Sequence, residues 1–197
     1  MQTSFSYTTK AELAAIPIKN PCCRRAMTFG LLYAATADKS EIRVGFSHDG
    51  VSDLFGALVK ETFGKETSVE KKTVVGRETW FHRFSTKRVL SYVEALDGEV
   101  PQNFIELVNF KCSGCRQSFL RGIFLGIGTV TDPAKAFHAE LLLNCPARAE
   151  KLDEFLALCG IPARRIERRG RIGLYYKNTT LLAPISAKNS SIAVLFL

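Results

Sequence analysis

The amino-acid sequence is written twice within its 197 residues, and this repeat constrains the fold more than any other feature. CRRAMTFGLLYAATADKS begins at Cys23 and CRQSFLRGIFLGIGTVTD begins at Cys115. Arg24 falls on Arg116, Gly30 on Gly122, and Leu31 and Leu32 on Ile123 and Phe124. A strand-like stretch follows each segment, EIRVGFSH and AFHAELLLN, and then an amphipathic helix, VSDLFGALVKETFG and ARAEKLDEFLALCG. Gly64 and Gly160 are natural helix stops, because glycine enters the left-handed conformation without a Cβ clash. A basic hairpin comes next in each copy, with Gly76 and Gly170 near the tips as turns require. TKRVLSYVEALDG and the weaker TTLLAPISAKNSS are expected as closing helices. Each half therefore reads helix, strand, helix, hairpin, helix. Repeats are expected over residues 1–97 and 112–197, joined by a linker at 98–111, and packed about a pseudo-two-fold axis as one body.

The first helix of each half ends in small residues. Gly122 and Gly126 lie four apart and share a face, as do Gly30 and Ala34. Two such stripes let helix backbones approach closely, which suits a seam between the halves. A helix pressed onto a sheet is the alternative. Gly128 stands where the second helix should stop, and a left-handed cap is expected there.

FLRGIFLGIGTV resembles the LAGLIDADG motif of homing endonucleases. Aligned without gaps, the motif covers Leu120 to Gly128 and Thr28 to Thr36. CCRRAMTFGLLYAAT, LRGIFLGIGTVTDP, FHAELLL and LLAPISAKNSS together resemble the WhiA family of sporulation and cell-division transcription regulators. The resemblance extends over nearly the whole chain. It implies an α/β (α+β) fold of two αββαββα units, with a central helix pair and saddle-shaped antiparallel sheets. It also implies a C-terminal helix-turn-helix, yet the sequence stops at IAVLFL just after the second repeat. That module is expected to be absent, as in a fragment or a short paralogue.

Active relatives place a metal-binding carboxylate at the eighth motif position. Here those positions are Ala35 and Ile127. Metal-assisted phosphodiester cleavage needs hard oxygen ligands, so no catalytic residue and no cofactor is assigned. Asp38 and Asp132 lie beyond the motifs but are not equivalent in the repeat, and Asp132 before Pro133 suits a turn. There is no phosphate-binding loop and no nucleophile elbow. His48, His82 and His138 lack metal-ligand spacing and read as surface or core residues.

The opening MQTSFSYTTKAELAAIPIK does not read as a secretory signal, so the six cysteines are expected to be thiols or metal ligands rather than disulfides. Cys22-Cys23 and Cys112-x-x-Cys115 would meet if the central helices pair, and four thiolates could then hold zinc. Adjacency of Cys22 and Cys23 argues against it. Buried small residues or a redox pair are the alternatives. Cys145 and Cys159 read as core or loop thiols.

The formal net charge of +8 favours a polyanionic partner. In the second hairpin Arg164, Arg165, Arg168, Arg169, Arg171 and Lys177 are candidate DNA contacts. Lys71, Lys72, Arg77 and Arg83 repeat the theme in the first, diluted by Glu70 and Glu78. Alternation in the last strand should set Ile172, Leu174 and Tyr176 toward the helices and Arg171, Tyr175 and Lys177 outward. A merely solvated hairpin is the competing account. No apolar run approaches the roughly 18 residues of a membrane span. The expected role is cytoplasmic: a DNA-binding or protein-docking unit for double-stranded DNA, and for RNA polymerase or another regulator, without a small-molecule substrate.

Overall fold

A computed structural model of the chain describes residues 4–38, 40–87, 89, 105, 108, 110–132, 134, 138–168 and 170–177. An N-terminal helix, α1 (Phe5–Ala15), precedes the first repeat and was not part of the repeat pattern. Ser4 caps it, its hydroxyl accepting the Tyr7 amide at 3.2 Å. The first repeat then runs α2 (Pro21–Leu31), β1 (Thr36–Ala37), β2 (Glu41–Phe46), α3 (Asp49–Phe63), β3 (Ser68–Val74) and β4 (Arg77–Ser85). The second repeats the order as α4 (Ser113–Ile127), β5 (Gly128–Val130), β6 (His138–Leu143), α5 (Pro146–Leu158), β7 (Arg164–Arg168) and β8 (Arg171–Lys177). Pro21 and Pro146 open α2 and α5, where a missing amide hydrogen costs nothing. Beyond the helical Thr86, Lys87 and Val89, both expected closing helices lie outside the described residues, as does most of the linker.

Each repeat forms a four-stranded antiparallel sheet, in the orders β1-β2-β4-β3 and β5-β6-β8-β7. The short strands β1 and β5 are additions to the helix-strand-helix-hairpin pattern read from the sequence. They form because the chain becomes extended after each central helix, past a 3-10 turn at Leu32–Ala34 in the first repeat, and pairs with β2 or β6. Gly76 and Gly170 take positive φ at the hairpin tips, and Gly64 and Gly160 do so after the helices. Val75 shares the first tip with a positive φ of 48°, a costly setting for a β-branched residue.

The central helices α2 and α4 pair between the two sheets. A Cβ on Gly30 would sit 2.2 Å from the Phe119 carbonyl oxygen, and one on Gly122 would sit 2.5 Å from that of Met27. Those contacts are backbone, so nothing flexible can yield. A Cβ on Gly126 would lie 3.3 Å from Ala34 Cβ, tight but tolerable. Phe29, Met27, Phe119, Ile123 and Phe124 flank this line and are fully buried, making one core shared by both halves. Gly128 corrects the expectation of a left-handed cap. Its φ of −79° and ψ of 149° are extended, leading straight into β5. It is glycine for space, since a Cβ would lie 2.3 Å from the Phe124 ring.

Candidate nucleic-acid interface

The carboxyl ends of α2 and α4 are where a LAGLIDADG nuclease would hold metal. Ala35 is buried there, and neither it nor Ile127 offers a side-chain oxygen. Cations occupy the neighbourhood instead. Arg148 of α5 donates Nη1 to the carbonyls of Tyr33 and Ala35 at the 3-10 turn that continues α2. Lys10 of α1 donates Nζ to the Leu125 carbonyl of α4 at 2.9 Å. Helix C-terminal carbonyls carry partial negative charge and attract such groups. Each central helix thus ends against a cation carried by a segment from beyond its own repeat unit. Burial lowers the Lys10 ammonium to about 8 and lowers the Arg148 guanidinium. Two fixed cations and no carboxylate do not suit a divalent ion that demands oxygen ligands.

The nearby acids serve turns. Asp38 Oδ1 accepts from the amides of Ser40 and Glu41 and from the Ser40 hydroxyl, each at 2.8 Å. Those bonds hold its carboxyl down at about 2. Asp132 Oδ1 accepts the Ala134 amide at 2.9 Å.

Each sheet turns one face to its helices and leaves the other open. In the second sheet the register sets Arg164 opposite Tyr175, Ile166 opposite Gly173, and Arg168 opposite Arg171. Strand alternation therefore puts Arg164, Arg168, Arg171, Tyr175 and Lys177 on the open face. Ile172, Leu174 and Tyr176 are buried against the helix side. Arg165 pairs with Leu174 and shares its side, although it is exposed because β7 is an edge. Arg169 lies outside the described residues. Among the described residues no carboxylate is within ion-pair distance of Arg164, Arg168, Arg171 or Lys177. Lys177 Nζ instead lies 5.8 Å from the Tyr175 ring centre, and His138 stacks on the same ring at 5.7 Å. Glu140, across from Tyr175, is the carboxylate of this face and lies 3.8 Å from His138.

The first sheet has the same layout and a different charge state. Lys72, Arg77 and Arg83 take the open face, opposite Thr79, Val74 and Ser68. Lys71 pairs with Trp80 on the helix side, lying 5.0 Å from its ring centre and 2.7 Å from Glu78. Glu70 receives both Lys72, at 2.9 Å, and Arg83, at 2.8 Å. Arg43 of β2, which the hairpin pattern did not single out, stands opposite Arg83 and is tied to Glu41 and Asp38. Its position emerges only once β2 is registered on β4.

The histidines have structural places. His82 is buried, bonded at 2.7 Å to the hydroxyls of both Ser52 and Thr67, and burial holds its imidazole down at about 4. His48 is buried against Tyr7, with ring centres 4.1 Å apart. Cys145 and Cys159 bound α5 at its two caps. Cys22, Cys23, Cys112 and Cys115 meet at the amino ends of α2 and α4.

Comparison with known proteins agrees with this architecture. Residues 116–194 match the family model for the WhiA LAGLIDADG-like domain. The probable cell division protein WhiA of Symbiobacterium thermophilum is 30% identical over 190 residues, covering 89% of this chain and 60% of that protein. The corresponding protein of Alkaliphilus oremlandii is 27% identical over 194 residues, again covering 60% of its length. The chain thus spans about 60% of these relatives. Among solved structures, the N-terminal LAGLIDADG domain of DUF199/WhiA superposes with a TM-score of 0.67 at 22% identity, covering 90% of this chain and 88% of that one. Full-length DUF199/WhiA from Thermatoga maritima gives 0.68 at 20% identity, covering 91% of this chain and 59% of that one. The homing endonuclease I-WcaI, bound to its DNA recognition sequence, gives 0.51 at 12% identity, covering 89% and 84%, a likeness of fold alone. By its repeat, its paired central helices and these matches, the chain is similar over about nine-tenths of its length to WhiA proteins, and residues 116–194 match their LAGLIDADG-like domain.

Proposed function

We propose that this chain is a non-catalytic, DNA-binding unit of a WhiA-type transcription regulator linked to cell division or sporulation, acting in the cytoplasm. It comprises two LAGLIDADG-like repeats, 1–97 and 112–197, joined at 98–111. The observation that carries this reading is the open face of the second sheet, where Arg164, Arg168, Arg171 and Lys177 have no carboxylate partner among the described residues. Unpaired guanidinium groups on a strand surface suit phosphate oxygens, and each contact releases a condensed counterion. Cations at Lys10 and Arg148, where metal-binding acids would stand in a nuclease, support binding without cleavage.

Protein docking, to RNA polymerase or another regulator, is the second role. The first sheet favours it: its open-face cations are largely neutralised, and Val75 stands 97% exposed at the hairpin tip. The test is fluorescence anisotropy with a labelled duplex across a salt series in magnesium, followed by a denaturing gel. Intact DNA and a log–log salt slope of about −3 to −4 are expected for four phosphate contacts. Absence of binding at low salt would leave docking as the function. Magnesium-dependent strand scission would overturn the non-catalytic assignment.

A further inference from the structure

The amino ends of α2 and α4 bring four sulfur atoms together. Cys22 and Cys23 occupy the first turn of α2, Cys112 is the N-cap of α4, and Cys115 lies in its first turn. Cys112 Sγ is 3.7 Å from Cys22 Sγ, 3.4 Å from Cys23 Sγ and 3.6 Å from Cys115 Sγ. Cys23 and Cys115 are 4.0 Å apart, and all four atoms lie within 4.8 Å of one another. A tetrahedral zinc ion with Zn–S bonds of about 2.3 Å sets its sulfur atoms about 3.8 Å apart. The four separations bracket that edge, and the two others do not exceed 4.8 Å, so one ion can be reached by all four sulfurs after small shifts. Adjacency of Cys22 and Cys23 is no obstacle, because the other two ligands come from a different helix.

We propose that Cys22, Cys23, Cys112 and Cys115 form a tetrathiolate site for one zinc ion, which clamps the two halves together at the start of the central helix pair.

Three features around the sulfurs support this assignment. Two helix amino termini converge on them, and their partial positive charge favours thiolates. Gly114 leaves room for the cluster, since a Cβ there would lie 3.2 Å from Cys23 Sγ and 3.9 Å from Cys112 Sγ. Arg121, only 5% exposed, is the third. Its Nε has no hydrogen-bond partner, and among the described residues no carboxylate pairs with it. Arg121 lines the same cleft as Cys23 and Gly114. A buried cation without a counterion is costly, and a zinc tetrathiolate, carrying a net charge of minus two, supplies one. Binding takes four thiols and one Zn²⁺ to the tetrathiolate and releases four protons, with no change of oxidation state. Cys22, Cys23 and Cys115 all lie within thiol hydrogen-bond reach of Cys112, and the ion must displace the protons that those contacts share.

The test uses the full chain, purified under reducing conditions without added metal or chelator. Elemental analysis should find one zinc per chain. Replacing zinc with cobalt(II) should give the visible bands and thiolate charge-transfer absorption of a tetrahedral four-sulfur site. Cys112→Ser should lower zinc content to a small fraction of one per chain, whereas Cys145→Ser should leave it unchanged. Should Cys112→Ser fail to fold, the wild-type cobalt spectrum still decides. Folded, reduced protein that holds no zinc and shows no cobalt spectrum would overturn the proposal. Iron as the sole resident metal, or a disulfide among the four cysteines in protein kept reduced, would overturn it as well.

Discussion

The two open sheet faces share a strand order and a hairpin geometry, and differ in what their cations do. On the first, Glu70 sits between Lys72 and Arg83, and Arg43 is held by Glu41 and Asp38. On the second, no carboxylate among the described residues lies within ion-pair distance of Arg164, Arg168, Arg171 or Lys177. The fold needs only the buried side of each sheet, so the repeat is preserved there. The solvent side is free to diverge, and there the halves have separated into a neutralised surface and a basic one. The same contrast of conserved and divergent faces holds inside. Six residues beyond each turn glycine a polar aromatic is buried: His82 bonds to Thr67, and Tyr176 donates to the Ile161 carbonyl at 2.8 Å. The place is the same, and the chemistry is not.

What the halves share should break with the largest effect. Gly30→Ala and Gly122→Ala each force a Cβ onto a carbonyl of the partner helix. Each should cost at least about 3 kcal/mol in chemical denaturation, the upper end of overpacking. Gly56→Ala in α3, whose Cβ would meet nothing nearer than 3.6 Å, should be neutral or stabilise by up to about 1 kcal/mol. Equal stability of all three variants would mean the helices are not in contact as described.

What the halves do not share should appear in DNA binding. Replacing Arg164, Arg168 and Arg171 with alanine should weaken duplex binding at least about tenfold at moderate salt and lower the salt slope by about 3. The same treatment of Lys72, Arg77 and Arg83 should cost less than about threefold, because Glu70 already offsets two of these charges. Glu70→Gln sharpens the comparison: it frees Lys72 and Arg83 and should tighten binding about two- to threefold, read by the same titration.

Acid stability gives a contrast at the buried aromatic position. His82 is held near 4, below its ordinary value of about 6.5, so the unfolded chain binds its proton more readily. Its contribution is complete above about pH 6.5 and is lost as pH falls toward 4. Denaturation midpoints should therefore fall between these limits, and His82→Gln should flatten that part of the profile. The smallest effect belongs to the hairpin tips. Val75→Asn relieves a positive φ that asparagine tolerates, and should stabilise the first hairpin by about 0.5–1 kcal/mol in thermal unfolding.

Much of the fold was legible in the sequence because its signals are local or repeated. Turn glycines, helix stops and the register of the two copies need only the chain itself. The small-residue stripe also pointed to a close backbone approach, and of the two settings it allowed, a helix pair or a helix on a sheet, the structure has the helix pair. What escaped was set by neighbours distant in sequence. Lys10 and Arg148 look like ordinary surface charges until they are seen bonding the ends of helices from the opposite repeat. The basic run in the second hairpin hid its own division, because strand register sends Arg165 to the helix side and keeps Arg164 and Arg168 outward. Lys71 parted from Lys72 for the same reason. Gly128 was read as a conformational device when it answers a steric one, the ring of Phe124 one turn earlier. The meeting of Cys22, Cys23, Cys112 and Cys115 was legible once the helices were paired, but their sulfur separations were not, because they depend on two helices at once.

The most direct measurement is duplex anisotropy across a salt series for the wild type and for the variant lacking Arg164, Arg168 and Arg171. If the second sheet is the DNA surface, the wild type binds with a log–log slope of about −3 to −4, and the variant binds weakly with a nearly flat dependence. If the two proteins show the same affinity and slope, the basic face is only a solvated surface, and the division of labour between the halves is wrong.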